Sequence, residues 1–214
     1  METLGERKKR VSKIVRTLKK TYPEARLALD FETPVDLLVA LILAAQCTDE
    51  RVNRVTEDLF RKYRYAGDWA ALDRGLLEEE IRSTGFYRNK AKAIQGCTRA
   101  LVERFDSEVP DRLEDLLSLP GVGRKTANIV IGNVFGRPAI GVDTHVGRLA
   151  RRLGLSQEKA PDKIEADLVE IVSRQSQVKF CQVIQLHGRA TCVSRKPKCD
   201  DCVIEKYCPR VGVG

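Results

Sequence analysis

Residues 119–148 read LPGVGRKTANIVIGNVFGRPAIGVDTHVGR, and the fold follows from how this stretch is understood. Pro120-Gly121-Val122-Gly123 is a turn rich in glycine. Directly after it, Ala127, Val130, Ile131 and Val134 fall at i, i+3, i+4 and i+7, one face of a helix. Lys125 falls in the first turn of that helix, roughly opposite the apolar stripe. The amino end of a helix already carries partial positive charge, so helix stability does not explain a cation there. Arg124 and Lys125 therefore point to a task other than folding.

The pattern continues outward in both directions. Gly136-Arg137-Pro138 marks a break, and Asp143 then precedes Val146, Leu149, Ala150 and Leu153 at the same helical spacing, in the place of an N-cap. Pro161 to Val172 and Val178 to Leu186 make two further helices. Toward the amino end, residues 6–21 carry Val11, Ile14, Val15 and Leu18 on one face among basic residues, an amphipathic first helix. Thr33-Pro34 is an N-cap followed by proline at the first helical position. The helix it opens, to about Ala45, is apolar nearly all round except at Asp36, as expected of the centre of a core. Thr48 caps the next helix, whose inner face is Val52, Val55, Leu59 and Phe60. Two short helices around Trp69, Leu72, Leu76, Leu77 and Ile81 end at Gly85. A longer helix covers Asn89 to Phe105, and Pro110 opens a short one through Leu113, Leu116 and Leu117. No segment alternates with a strand period, so the chain is expected to be all-α. The tail from Val211 to Gly214 is expected to fray.

Composition narrows the function classes. The 214 residues are enough for one domain or two small ones, with 43% hydrophobic and 32% charged residues. The net charge of +8 favours a polyanionic partner such as nucleic acid. The first ten residues are polar and basic with no apolar stretch behind them, and the longest apolar run, Leu37 to Ala45, is too short to span a bilayer. A cytoplasmic protein with no membrane partner is expected, or a nuclear one in a eukaryote. Of seven cysteines, Cys47, Cys97 and Cys181 sit in apolar or helical contexts and are expected as small buried hydrophobes. Cys192, Cys199, Cys202 and Cys208 crowd the carboxyl end, and in a reducing compartment such a cluster suggests metal before disulfides.

Each motif implies a chemistry. A glycine turn feeding a helix offers backbone N–H groups to an anion, which makes Gly121, Gly123 and Arg124 candidate phosphate contacts. Set as L-P-G-V-G-x-K-T-A between a short helix and a longer one, the turn resembles a helix-hairpin-helix DNA-binding element, which grips the backbone rather than the bases. Lys125 is either one more phosphate contact or an amine nucleophile. In the second case the positive potential around it keeps more of the amine neutral, ready to form a Schiff base with a sugar C1′ carbon. Asp143, as a capping carboxylate, accepts backbone N–H groups and stays ionised. That makes it a poor proton acceptor and a good fixed negative charge, suited to steadying a cationic sugar transition state. The four terminal cysteines, spaced C-x6-C-x2-C-x5-C, suit tetrahedral zinc or an iron–sulfur cubane, and spacing leaves both open.

Taken together and in order, AAQCTD (44–49), LPGVGRKTA (119–127), VDTHVGR (142–148), LHGRATC (186–192) and the cysteine tail resemble the endonuclease III family of DNA base-excision glycosylases. The resemblance covers nearly the whole chain. It implies an all-α fold in two parts: a six-helix barrel domain with the helix-hairpin-helix over residues 27–137, and a helical iron-sulfur cluster domain built from both termini, residues 1–26 and 138–214. Lys125 is expected to border the cleft between them. It further implies a 4Fe-4S cluster on Cys192, Cys199, Cys202 and Cys208, and a monomer acting on double-stranded DNA with damaged bases or abasic sites. By resemblance Lys125 is the nucleophile and Lewis base of a bifunctional glycosylase and AP lyase that removes oxidised pyrimidines, and Asp143 is the essential carboxylate. Gln46 matches the family residue that fills the hole left by a flipped nucleotide. Arg195, Lys196 and Lys198 lie where the family contacts DNA phosphate. Phe86 stands where the family often has leucine in a loop that intercalates beside the lesion, and an aromatic wedge could stack on a base. Two alternatives are an adenine-mismatch glycosylase, which typically lacks the lysine and carries a further C-terminal domain, and a non-catalytic helix-hairpin-helix DNA-binding protein.

Overall fold

The computed structural model describes residues 2–213; Met1 and Gly214, both expected in the cluster part, lie outside the described residues. Eleven α-helices and three one-turn 3-10 helices account for the regular structure, with no strand among the described residues, so the chain is all-α as expected. It divides into two compact units, one of residues 27–135 and one in which the segment up to Arg26 joins everything from Gly136 onward.

The first unit is arranged around α2 (Pro34–Leu43). Thr33 opens it with a reciprocal cap: its hydroxyl accepts the Asp36 N–H at 3.1 Å, and the Asp36 carboxylate accepts the Thr33 N–H at 2.8 Å and that of Glu32 at 3.1 Å. Those bonds let Asp36 lie buried at the head of a helix that is otherwise apolar and almost fully enclosed. Around α2 pack α3 (Asp49–Lys62), α6 (Tyr87–Arg104) and α8 (Arg124–Asn133). Two short helices, α4 (Ala66–Ala71) and α5 (Arg74–Glu80), also pack on α6. The fully buried Trp69 of α4 meets the rings of Phe60 and Tyr63 at centroid distances of 6.3 and 5.1 Å. The short helix α7 (Leu113–Leu117) packs against α8 across the 118–123 turn.

In the second unit, α1 (Leu4–Thr21) buries the predicted stripe of Val11, Ile14, Val15 and Leu18. That stripe shares a core with Val146, Leu149 and Leu153 of α9 (Thr144–Arg152) and its end, with Ile164 and Leu168 of α10 (Pro161–Ile171), and with Phe180 and Ile184 of α11 (Gln177–Ala190). The chain's two ends thus build one core.

Some expected boundaries move. Pro110 does not open α7, which starts at Leu113 after Arg112 in extended conformation. α2 stops at Leu43, leaving Ala45 and Gln46 in a turn. α11 runs four residues beyond Leu186, because His187 and Gly188 are buried and continue its packed face. Cys97 is buried as expected, whereas Cys47 and Cys181 keep partial exposure. The expected frayed tail is instead tied back at Val211, whose N–H donates to the Arg152 carbonyl at 3.0 Å.

Candidate active site

The geometry of the 120–123 hairpin is set by what it rests on. Gly121 has φ +79°, in the left-handed region, and a Cβ there would lie 2.8 Å from the Ala93 Cβ. Gly96, one turn further along α6, is constrained from the other side, since its own Cβ would come within 3.1 Å of the Pro120 Cβ. The hairpin therefore lies directly on α6, with Val122 buried beneath it and Gly121, Gly123, Arg124 and Lys125 exposed. Gly123 is the N-cap of α8; it supplies no side-chain cap, and no acidic residue follows in the first turn. The first-turn N–H groups and positive pole of a helix that opens on a glycine are what a phosphate oxygen needs. Lys125 is the second residue of that helix.

Two other loops of the same unit carry Gln46 and Phe86. Gln46 follows α2 at φ 53°, and Phe86 precedes α6 at φ 49° with 62% of its surface exposed. Both are side-chain-bearing residues in the left-handed region, which costs roughly 1–2 kcal/mol apiece. Beneath them is a feature that sequence pattern missed. Lys90 of α6 is only 4% exposed and donates from Nζ to the carbonyls of Leu43 at 2.7 Å and Thr84 at 2.8 Å. Burial lowers its pKa from the ordinary lysine value, with the nearby Cys47 opposing.

In the second unit Asp143 is the N-cap of α9, as its position in the sequence implied. Its Oδ1 accepts the Val146 N–H at 2.7 Å, and its Oδ2 accepts Nε2–H of Gln185, on α11, at 3.0 Å. Both carboxylate oxygens are thus held by N–H donors. Gln185 is the second residue missed, for its partner lies 42 positions away. Next to Asp143, His145 packs against Gly188, where a Cβ would meet its Nδ1 at 2.9 Å, which accounts for the glycine of LHGRATC. Burial lowers the His145 pKa, with Asp143 opposing and Arg148 assisting. Arg148 donates to the carbonyls of Gly188 at 2.9 Å and Cys192 at 3.1 Å, tying α9 to the segment where the cysteines begin.

Cys192, Cys199, Cys202 and Cys208 are all partly exposed and line one cavity, shared with Leu149, Arg152 and His187. Among the described residues no three His, Cys, Asp or Glu side chains are gathered about a point that could hold a single metal ion. What the four sulfurs share is a cavity. Three nitrogens lie close to them: Arg152 Nη1 is 3.4 Å from the Cys192 sulfur, His187 Nε2 3.4 Å from that of Cys202, and the Arg210 backbone N–H 3.4 Å from that of Cys208. Burial is the first cause holding the Cys202 and Cys208 thiols above their ordinary pKa, so thiolates there need such donors or a bound cation. Four thiols lining one cavity, three of them beside a nitrogen, are by their chemistry a donor set that fits an iron–sulfur group. Burial also pushes the His187 pKa down to about 4, so its imidazole is neutral near pH 7. Arg195, Lys196 and Lys198 are on the loop between Cys192 and Cys199, with Lys196 at φ 51°.

The model of the HhH-GPD superfamily of base excision DNA repair proteins matches residues 39–174. Endonuclease III of Synechocystis sp. is 51% identical over 210 residues, 98% of this chain and 96% of that protein. A solved structure of a trapped endonuclease III–DNA covalent intermediate superposes with a TM-score of 0.89 at 39% identity, covering 95% of this chain and 96% of that one. A thermostable thymine-DNA glycosylase superposes with a TM-score of 0.85 at 25% identity, over 94% and 96% of the two chains.

Proposed function

Because this chain belongs to the HhH-GPD superfamily of base excision DNA repair proteins, we propose that it removes oxidised pyrimidines from double-stranded DNA and cleaves the resulting abasic strand, both through Lys125. The chain is a bifunctional DNA glycosylase and AP lyase. What carries the assignment of Lys125 is its setting: an exposed amine in the first turn of α8, directly behind a hairpin whose N–H groups suit a phosphate. A solved relative was trapped as a covalent intermediate with DNA, and a covalent bond to DNA is what an amine nucleophile here would make.

The damaged base is first turned out of the stack, since its C1′ cannot be reached inside a duplex. The hairpin at Gly121 and Gly123, with Arg124, holds the backbone while Gln46 fills the vacated space and Phe86 wedges beside it. Neutral Lys125 Nζ attacks C1′ as the glycosidic bond breaks. The base leaves with the bonding electrons and takes up a proton; the nitrogen loses a proton, its lone pair then forms the C1′=N bond of the Schiff base as the C1′–O4′ bond breaks, and O4′ takes up a proton. Removal of a C2′ proton then expels the 3′ phosphate and nicks the strand, and hydrolysis frees Lys125. Asp143 contributes a fixed negative charge as positive charge builds on the sugar. Its two bound N–H groups support that role over proton acceptance.

The four cysteines, Cys192, Cys199, Cys202 and Cys208, would hold a 4Fe-4S cluster in the cavity they line. When bound, such a group cross-links the terminal loop. Arg195, Lys196 and Lys198 on that loop would then meet DNA phosphate as a monomer binds, supported by the net charge of +8.

Borohydride trapping tests the proposal. Protein mixed with duplex containing an oxidised pyrimidine should give a covalent adduct that Lys125→Ala abolishes; no adduct from intact, iron-loaded protein would sink it. Asp143→Asn should fold and bind DNA but lose roughly a hundredfold or more in excision. Stoichiometric zinc in place of iron would overturn the cluster assignment.

A further inference from the structure

Lys90 is the only lysine or arginine buried among the described residues. Burying an ammonium is costly unless strong acceptors meet it. The acceptors here are both helix ends. Leu43 is the last residue of α2, and Thr84 is the last of the 3-10 helix Arg82–Thr84, so their carbonyls are among those a helix leaves unbonded at its negative pole. Lys90 gives one bond from its Nζ to each, at 2.7 and 2.8 Å, across chain separations of 47 and 6 residues.

The clamp matters because of the residues just beyond those two carbonyls. Three positions after Leu43 stands Gln46, and two after Thr84 stands Phe86, at φ 53° and 49°. A side-chain-bearing residue stays left-handed only where its surroundings leave it no easier course. The helix that carries Lys90 also seats the hairpin, through Ala93 and Gly96. One helix thus backs the hairpin and both exposed loops, and Lys90 bonds to the two helix ends from which those loops leave.

We propose that Lys90 is a positioning residue which fixes the loops bearing Gln46 and Phe86 as one unit, so that both enter the duplex together when a base is turned out. The inference rests on the assignment of Gln46 and Phe86 to that task. It places Lys90 in duplex opening and outside the chemistry at C1′. A substrate needing no opening is then indifferent to Lys90, whereas a paired lesion is not.

The test compares two substrates under single-turnover conditions: duplex containing an oxidised pyrimidine, and a single-stranded oligonucleotide with a preformed abasic site. Lys90→Met should lose about tenfold or more on the duplex, the scale of a small misplacement of reacting groups. Its borohydride trapping on the single strand should stay at the parent level, with an unchanged proportion of folded protein. Equal losses on both substrates, or none on the duplex, would overturn the proposal. Should Lys90→Met not fold, Lys90→Arg is read in the same way: its broader guanidinium keeps the charge but spreads the two carbonyls, so a selective duplex loss is again expected, and an unselective loss or none overturns it. A Gln46→Ala/Phe86→Ala variant separates the premise from the inference. If it excises from duplex like the parent, the assignment of those two residues fails. If it loses duplex activity while Lys90→Met does not, only the role of Lys90 fails.

Discussion

Asp143 is held at both oxygens, and the two holds have different origins. The bond from Val146 N–H is local, three residues along, and comes with any capping aspartate. The bond from Gln185 is tertiary and is the part that fixes how the carboxylate is turned about its own axis. Gln185→Leu keeps the cap and the helix, and leaves Oδ2 to water. The expected result is a fall in single-turnover excision of about tenfold or more, from about 1.5 kcal/mol upward for one bond to a charged group, with DNA affinity and melting temperature little changed. An unchanged rate would show that the cap alone orients Asp143. The contrast also shows what sequence can carry at this scale. Lys125, Asp143 and the four cysteines announce themselves by local context: a helix end, a cap, a spacing. Gln185 and Lys90 do not, because each owes its role to a partner more than forty positions away and looks, in its own helix, like an ordinary polar residue.

Among the elements, α6 and the hairpin constrain each other from both sides, at Gly121 against Ala93 and at Gly96 against Pro120. In the sequence the hairpin's glycines make a single phosphate-binding unit, yet the structure separates them. Gly121 is required by its φ of +79° and by Ala93 beneath it, whereas at Gly123 a Cβ would meet nothing within 4 Å and the backbone is extended. Gly121→Ala should therefore cost about 2–4 kcal/mol, from left-handed strain together with overpacking, and should weaken DNA binding as the hairpin lifts. Adding Ala93→Gly removes the contact without relieving φ, and introduces a helical glycine worth about 1 kcal/mol. The double variant is expected to recover DNA affinity but not melting temperature; recovery of neither would mean that the contact with α6 does not set the hairpin. Gly123→Ala should be near neutral in stability by the same measurements. Helix periods and caps made the elements legible, down to the reciprocal cap at Thr33 and Asp36. They could not place Pro110 outside α7 or carry α11 on to Ala190, since those limits are decided by what the residues pack against.

At the scale of the whole molecule, the chain's beginning completes a unit that its end supplies. Arg10 of α1 shows how closely the two are joined. Its Nη1 donates to the carbonyls of Leu153 at 2.7 Å and Tyr207 at 3.0 Å, while Nε and Nη2 grip the two oxygens of Glu2 at 2.7 and 2.8 Å. Tyr207 immediately precedes Cys208, the last of the four cysteines, and the Cys208 thiol in turn lies 3.5 Å from the Arg152 carbonyl, next to Leu153. One guanidinium from the first helix therefore anchors both the end of α9 and the final cysteine. Arg10→Met retains most of the aliphatic stem and removes the donors, leaving two part-buried carbonyls to find other partners. A loss of about 2–4 kcal/mol is expected, at roughly 1–3 kcal/mol per unsatisfied group. On the proposal that the cysteines hold a cluster, the visible absorbance of the variant should also bleach faster than that of the parent protein under an iron chelator. A surface control such as Lys13→Met, on the same helix but exposed, should change neither melting nor bleaching. If Arg10→Met melts early but bleaches at the parent rate, the first helix supports the core of this unit without steadying its terminal loop.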